Sequence, residues 1–342
     1  MRALQLVSDR ETEAVDLPEP DAPAPGEVQL KIRVVALNHL DVWGWRGMAF
    51  AKREMPLTIG AEASAEVVAL GEGVCDLVPG QLVSIFGARV CGKCHHCRAG
   101  RDNLCEHVEG VHGFHLGGFA RELVNIPARQ CVPVPPGCDD VGAALAPITF
   151  GTCEHMLFDN ALLKPSESIL IQAGGSGIGT AAIQLAKAIG CTVITTVGSD
   201  DKIEPAKVLG ADHVINYRED RFEGAVRKIT KKEGVDVVFE HVGKSTWAGS
   251  MLSMKRGGRL VTCGSTSGVS AETNLMMLFQ RQLRLIGSFG CRKQNMVDSM
   301  DKMARGYVRP IVDTEVEFGD LATALERMES RKVFGKIIMR MA

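Results

Sequence analysis

Cys91, Cys94, Cys97 and Cys105 follow the spacing C-x2-C-x2-C-x7-C in a loop rich in Gly, Lys and Arg. Four thiolates this close can surround one ion tetrahedrally, and four sulfurs leave no open position for a substrate. The reading is therefore one structural Zn2+ per subunit. An iron–sulfur cluster or redox thiols are the rival readings. His95, His96 and His107 stand nearby as alternative ligands, but four cysteines already complete the shell.

A second constellation is Gly174-Gly175-Ser176-Gly177-Ile178-Gly179, between an apolar strand at 168–172 and an apolar helix at 178–189. Gly174, Gly177 and Gly179 remove side chains where a backbone must turn and approach a pyrophosphate at a helix N-terminus. Ser176 replaces the middle glycine of the strict G-x-G-x-x-G pattern, so this is a variant of the dinucleotide fingerprint. The next strand, Thr192–Val197, ends on Gly198-Ser199-Asp200-Asp201-Lys202 rather than on an acidic residue. An acid at that tip would bind the ribose 2′-hydroxyl and repel a 2′-phosphate. A small neutral tip followed by Lys202 favours NADP(H), with Asp200 and Asp201 read as caps of the helix that starts there.

Elements that position these loops are visible in the pattern. The first third alternates (28–35, 65–69, 81–86) with Gly and Pro turns, which suggests a small β-barrel. From about residue 139, strands at 168–172, 192–197, 213–216, 235–240, 259–263 and 283–288 alternate with helices, which means a doubly wound parallel sheet. A helix at 321–329 and a strand at 336–339 close the chain.

Composition excludes several partners. The 342 residues carry a net charge of −2 and 5% aromatics, so neither a basic field nor a stacking surface for nucleic acid exists. No apolar stretch reaches membrane-spanning length, and the first fifteen residues lack the apolar run of a signal peptide. Seven cysteines (75, 131, 138, 153, 191, 263, 291) are scattered singly, as expected of small buried hydrophobes in a reducing compartment. A cytoplasmic enzyme of small molecules is the expectation.

Together these motifs resemble the medium-chain dehydrogenase/reductase superfamily, the zinc alcohol dehydrogenase and quinone reductase group. The resemblance spans essentially the whole chain. It is carried by Pro25-Gly26-Glu27-Val28, Asn38-x-x-Asp41, Ile59-Gly60-Ala61-Glu62, Gly71-Glu72-Gly73-Val74, the cysteine lobe, the glycine loop and the run from Leu209 to Tyr217. It implies an α/β architecture: a GroES-like β-barrel catalytic domain over 1–125 and 293–342, and a Rossmann domain over 126–292. It also implies a homodimer, through the strand near 283–289.

The resemblance breaks at the catalytic zinc. The family's Cys, His and Cys ligands align with Asn38, Ala61 and Ile148, none of which suits the ion. Without a Lewis acid for alcohol oxidation, hydride delivery from NADPH to a quinone, enone or enoyl thioester is favoured. Asn38 matches the asparagine of zinc-free quinone and enoyl reductases, where its amide would donate to a developing enolate. Gly198, Ser199, Lys202 and Tyr217 lie in segments resembling those that hold the 2′-phosphate, and Arg331 is a cofactor candidate on charge and position. His241, at a sheet strand's end in a segment similar to enoyl-CoA reductases, is read equally as a proton donor or as a hydrogen-bonded structural residue. Trp43, Trp45 and Phe50 either line an apolar pocket or pack the barrel, and Asp41 and Glu62 are read as buried hydrogen-bonding partners. Two further readings stand against the reductase: an alcohol or polyol dehydrogenase with a modified metal site, and a non-catalytic NADP(H)-binding protein.

Overall fold

A computed structural model describes residues 1–47 and 53–341, so Phe50 lies outside the described residues. No helix among the described residues is long and apolar enough to cross a membrane. The chain divides into two compact units. The first comprises Met1–Gly151, Cys291–Gly306 and Val312–Ala342; the second comprises Thr152–Gly290 and Tyr307–Ile311.

In the first unit, β1 (Arg2–Ser8) pairs with β2 (Glu11–Asp16) and with the short β4 (Leu57–Thr58). The main barrel sheet runs β10 (Cys131–Pro133), β6 (Leu82–Ile85), β5 (Glu62–Leu70), β3 (Glu27–Ala36), β18 (Lys336–Arg340), β17 (Val312–Val316). β9 (Leu123–Pro127) also pairs with β3, and β7 (Ala88–Arg89) pairs with β8 (Gly110–Val111) as a ribbon. Alternation in β3 turns Val28, Leu30 and Ile32 inward, and these join Ile85, Phe119 and Ile126 in one core. Trp45, 3% exposed, packs into this core, in line with the barrel-packing reading.

The unit boundary falls at Gly151, not at 125. A cut at 125 would split β9, whose pairing with β3 runs from Leu123 to Pro127, and would detach β10 from β6. The helical stretch after Asp139 also belongs to the barrel unit. Its Ala143 and Ala146 bury against Phe86, Val132, Met296 and Met300, which removes their apolar surface from water.

The second unit is a six-stranded parallel sheet in the order β13 (His213–Asn216), β12 (Thr192–Val197), β11 (Ser168–Ile171), β14 (Val235–Glu240), β15 (Met254–Thr262), β16 (Arg284–Gly287). The chain runs outward from β11 to β13, then crosses to β14 on the other side of β11. That reversal opens a crevice at the carboxyl ends of β11 and β14, where open α/β sheets bind ligands. The helix Gly177–Ala188 follows β11 directly and buries Ala181, Ala182, Ile183 and Leu185 on the sheet.

Candidate functional site

The four-cysteine loop is folded to receive an ion. The Sγ atoms of Cys91, Cys94, Cys97 and Cys105 lie within 4.8 Å of one another, and the Cys91–Cys105 and Cys94–Cys105 separations are 3.6 and 4.0 Å. A tetrahedral Zn–S4 site with ~2.3 Å bonds has sulfur–sulfur edges of about 3.8 Å. Backbone N–H groups of Cys91, Cys94, Cys97 and His107 donate to Sγ atoms of the set at 3.3–3.5 Å, as thiolate charge requires. The N–H of Cys97 in particular lowers the Cys94 thiol to about 6. His95 is engaged instead with the Arg101 guanidinium at 3.2 Å. The donor set fits a closed zinc site. Held there, the ion would staple a loop whose Cys97 and Cys105 pack on the Phe86–Met300 core cluster.

The glycine loop explains its own composition. A Cβ on Gly174 would sit 2.2 Å from Thr195 Oγ1, and one on Gly179 would sit 2.3 Å from the Ala173 carbonyl oxygen. The loop therefore folds tightly against β12 only with hydrogen there. Ser176 is the N-cap of the following helix, its Oγ accepting the Gly179 N–H at 3.0 Å. That is the physical reason for the serine in place of the pattern's middle glycine. Gly175, Gly177 and Ile178 complete the turn into the N-terminus of the helix Gly177–Ala188.

Beneath the loop runs a chain of buried hydrogen bonds that the sequence did not disclose. Ala173 N donates to Thr196 Oγ1, which donates to Gln172 Oε1; Gln172 Nε2 donates to Ser250 Oγ, which donates to Glu240 Oε2. Glu240, fully buried, also accepts from Val242 N, Gly243 N and Thr246 Oγ1, at 2.7–3.0 Å. His241 joins this network. Its Nε2 donates to the Gln172 carbonyl at 2.8 Å, and burial pushes its pKa below the ordinary histidine value. An imidazole held neutral with its N–H on a carbonyl does not fit the proton-donor reading. The structural reading of His241 is the one this geometry suits.

At the tip of β12, Gly198, Ser199, Lys202 and Tyr217 come together within the second unit. A Cβ on Gly198 would lie 2.5 Å from Tyr217 Oη, so the phenol sits directly over the glycine. Asp200 accepts from Asn216 Nδ2 at 2.9 Å, and a Ser199 hydroxyl bond holds the Asp201 carboxyl below its usual range. Both acids are thus engaged locally, in the first turn of the short helix Asp200–Lys202. Arg331 is carried by the barrel unit, just past the helix Leu321–Glu329.

Around the aligned zinc-ligand positions the structure holds a charged cluster instead. Lys336 Nζ donates to Asn38 Oδ1 at 2.7 Å and to Glu62 Oε2 at 3.0 Å, with Lys336 and Glu62 only 5% and 0% exposed. Asn38 Nδ2 donates to the Ala36 carbonyl at 3.1 Å and to Glu62 Oε2 at 3.0 Å. Glu62 Oε1 accepts from the backbone N–H groups of Ile148 and Thr149, and Oε2 from the Thr149 hydroxyl. Both N–H bonds of the Asn38 amide are spent within the protein, which corrects the expectation that it donates to a substrate oxyanion. Asp41 accepts from Asn38 N and Gly60 N, and burial pushes its carboxyl up to about 6. Lys336 belongs to no motif in the sequence; its signal there is a lysine opening the apolar strand KIIM.

Two sequence-family models match the chain, "Alcohol dehydrogenase GroES-like domain" over residues 24–136 and "Zinc-binding dehydrogenase" over residues 177–305. The acryloyl-coenzyme A reductase of Metallosphaera sedula is 29% identical over 320 residues, covering 93% of each chain. The alcohol dehydrogenase of Geobacillus stearothermophilus is 31% identical over 335 residues and 96% of each chain. Among solved structures, an NAD-dependent alcohol dehydrogenase superposes with a TM-score of 0.94 at 36% identity, over the full length of both chains. The chain belongs to the zinc-binding alcohol dehydrogenase family of the medium-chain dehydrogenase/reductase superfamily, and it is an oxidoreductase.

Proposed function

We propose that the chain is an NADPH-dependent reductase that delivers hydride to an activated carbonyl compound (a quinone, enone or enoyl thioester) without a catalytic zinc. The observation that carries this reading is the Lys336 ammonium bonded to Asn38 and Glu62, at positions aligned with the family's metal site. A cation already neutralises Glu62 there, and the cysteine loop is the sole ligand cluster of three or more among the described residues. NADPH, when bound, supplies the hydride. The glycine loop and the Gly177–Ala188 helix N-terminus would hold its pyrophosphate, and Lys202, Ser199 and Tyr217 its 2′-phosphate. Gln172, Thr196, Ser250, Glu240 and His241 fix the loop's backbone from below. The name of the M. sedula relative fits a reductase of this type, whereas those of the alcohol dehydrogenases fit the competing one.

The test is an NADPH-oxidation screen across quinones, enals and enoyl thioesters, alongside metal analysis. Turnover of at least one such acceptor, with about one zinc per chain lost in Cys97→Ser, is the expected result. About two zinc ions and turnover of simple alcohols alone would sink it in favour of a metal-dependent dehydrogenase. Tight NADPH binding with no hydride transfer to any acceptor would favour a binding protein.

For the cofactor, Lys202→Ala is expected to raise the KM for NADPH about tenfold, the effect of one charge-assisted hydrogen bond. The KM for NADH should move less than twofold. Equal changes in both would remove Lys202 from the 2′-phosphate site.

We also propose a homodimer through β16. Among the described residues this edge strand pairs with β15 alone, and Leu275, Phe279 and Phe289 near it are 68%, 67% and 71% exposed. Unpaired edges flanked by large apolar side chains are natural pairing surfaces. Light scattering should give twice the 36.8 kDa chain mass, falling to one chain in Ile286→Pro. A wild-type monomer would refute it.

A further inference from the structure

Beside the vacated ligand position Ala61 lies a group of guanidinium ions that the mechanism above does not use. The loop spanning 110–118 is pressed against Ile59, Gly60 and Ala61. A Cβ on Gly118 would meet the Ile59 carbonyl at 2.3 Å, one on Gly113 would meet Gly60 C at 2.6 Å, and one on Gly87 would meet the Ala61 carbonyl at 2.7 Å. Three arginines converge on this loop. Arg53 donates to the Gly44 carbonyl at 2.9 Å and lies over the Phe114 ring, 5.5 Å from its centroid. Arg121 reaches the Gly117 carbonyl at 3.4 Å, where His112 Nδ1 also donates at 2.7 Å. Arg89, on β7, is near enough to Arg121 for its charge to add to burial in lowering the Arg121 pKa to about 10.

These cations have few acceptors. Arg53 Nε and Nη1, Arg89 Nε and Arg121 Nε are all buried with no hydrogen-bond partner among the described residues. The one carboxylate paired with any of the three, again among the described residues, is Glu109, 3.5 Å from Arg89 and itself 57% exposed. His112 and His115 add no compensating charge, and burial holds both below the usual histidine pKa, His112 at about 4. Clustered guanidinium groups with unmet donors are costly unless an anion completes them, and the planar fork suits carboxylate or phosphate oxygens.

We propose that Arg53, Arg89 and Arg121 form an anion-binding subsite that recognises a carboxylate or phosphate carried by the substrate. This deepens the reductase reading and rests on it for the word substrate. It restricts the acceptors to acidic ones, in preference to neutral quinones.

The experiment compares matched acceptors in the enzyme and in Arg121→Gln and Arg121→Lys. One pair is a carboxylate-bearing enone and its methyl ester; the other is an enoyl-CoA and its neutral N-acetylcysteamine thioester. The ratio of kcat/KM for the anionic over the neutral member is expected to fall at least tenfold in Arg121→Gln and to recover in Arg121→Lys. The pair that responds identifies carboxylate or phosphate as the ligand. An unchanged ratio in both pairs would overturn the subsite. If no acceptor is reduced, the reductase reading fails on its own, and NADP+-saturated protein titrated with inorganic phosphate or acetate still decides the subsite. A saturable rise in Tm that Arg121→Gln abolishes supports it, and a rise shared by both proteins or seen in neither refutes it.

Discussion

Lys336→Met costs about 3–5 kcal/mol of stability, the range for removing one partner of a buried ion pair. The reason lies in what remains. Glu62 is fully buried, and its Oε2 would keep the Asn38 amide and the Thr149 hydroxyl but lose the balancing cation. The Asn38 amide oxygen would lose its ammonium donor at the same time. Urea denaturation checks the value. A second variant separates charge from packing: Lys336→Met combined with Glu62→Gln should recover more than half of the loss, since a neutral amide no longer needs a cation. A loss under about 1 kcal/mol in the single variant would mean that water reaches the pair, as at a surface bridge. Zinc content should be the same in both variants as in the unmodified chain, because the cysteine loop shares none of these contacts.

Gly179→Val should weaken NADPH binding at least a hundredfold, about 2.7 kcal/mol or more. The added carbons would fall 2.3 Å from the Ala173 carbonyl oxygen and 2.9 Å from Gly174 Cα. Backbone must yield there, because the closest atom is a main-chain oxygen; moving the Ser176 hydroxyl, also 2.9 Å away, would not relieve that contact. The yielding part is the turn that aims the helix N–H groups, so pyrophosphate contact goes before the sheet does. Fluorescence titration with NADPH measures the effect, and circular dichroism should show the secondary structure retained. Near-normal affinity would mean that the loop is not the pyrophosphate site.

The sequence made the parallel sheet legible almost strand by strand. Thr192–Val197, His213–Asn216 and Val235–Glu240 begin and end where the pattern placed them. Buried strands announce themselves because nearly every residue in them is apolar and the turns are marked by glycine. The pattern shows only the second part of β15, since Arg256, Gly257 and Gly258 interrupt its apolar run although its first part still pairs with β14. The cysteine loop was legible for a different reason: its ligands are close in sequence. Asn38, Glu62 and Lys336 could not be joined that way. Asn38 and Lys336 are 298 positions apart, and only the placement of β18 beside β3 brings them together. The commitments of the Asn38 amide were likewise invisible, because one acceptor is a backbone carbonyl and the other sits on a distant strand. The Glu240 network was hidden in the same way: Thr196 on β12 and Thr246 and Ser250 on the helix Lys244–Ser253 carry no signature.

The placement of β18 between β3 and β17 has a consequence for how the chain is made. During synthesis β3 emerges roughly 300 residues ahead of the strand that must lie against it, whereas the nucleotide unit is almost one unbroken stretch, Thr152–Gly290. The nucleotide unit can therefore close on the ribosome while the barrel still has an open seam, with Glu62 facing water in place of its lysine. A chaperone or protease inspecting the growing chain would meet a finished half and an unfinished one, and the arrival of Lys336 would mark the moment at which the second half seals.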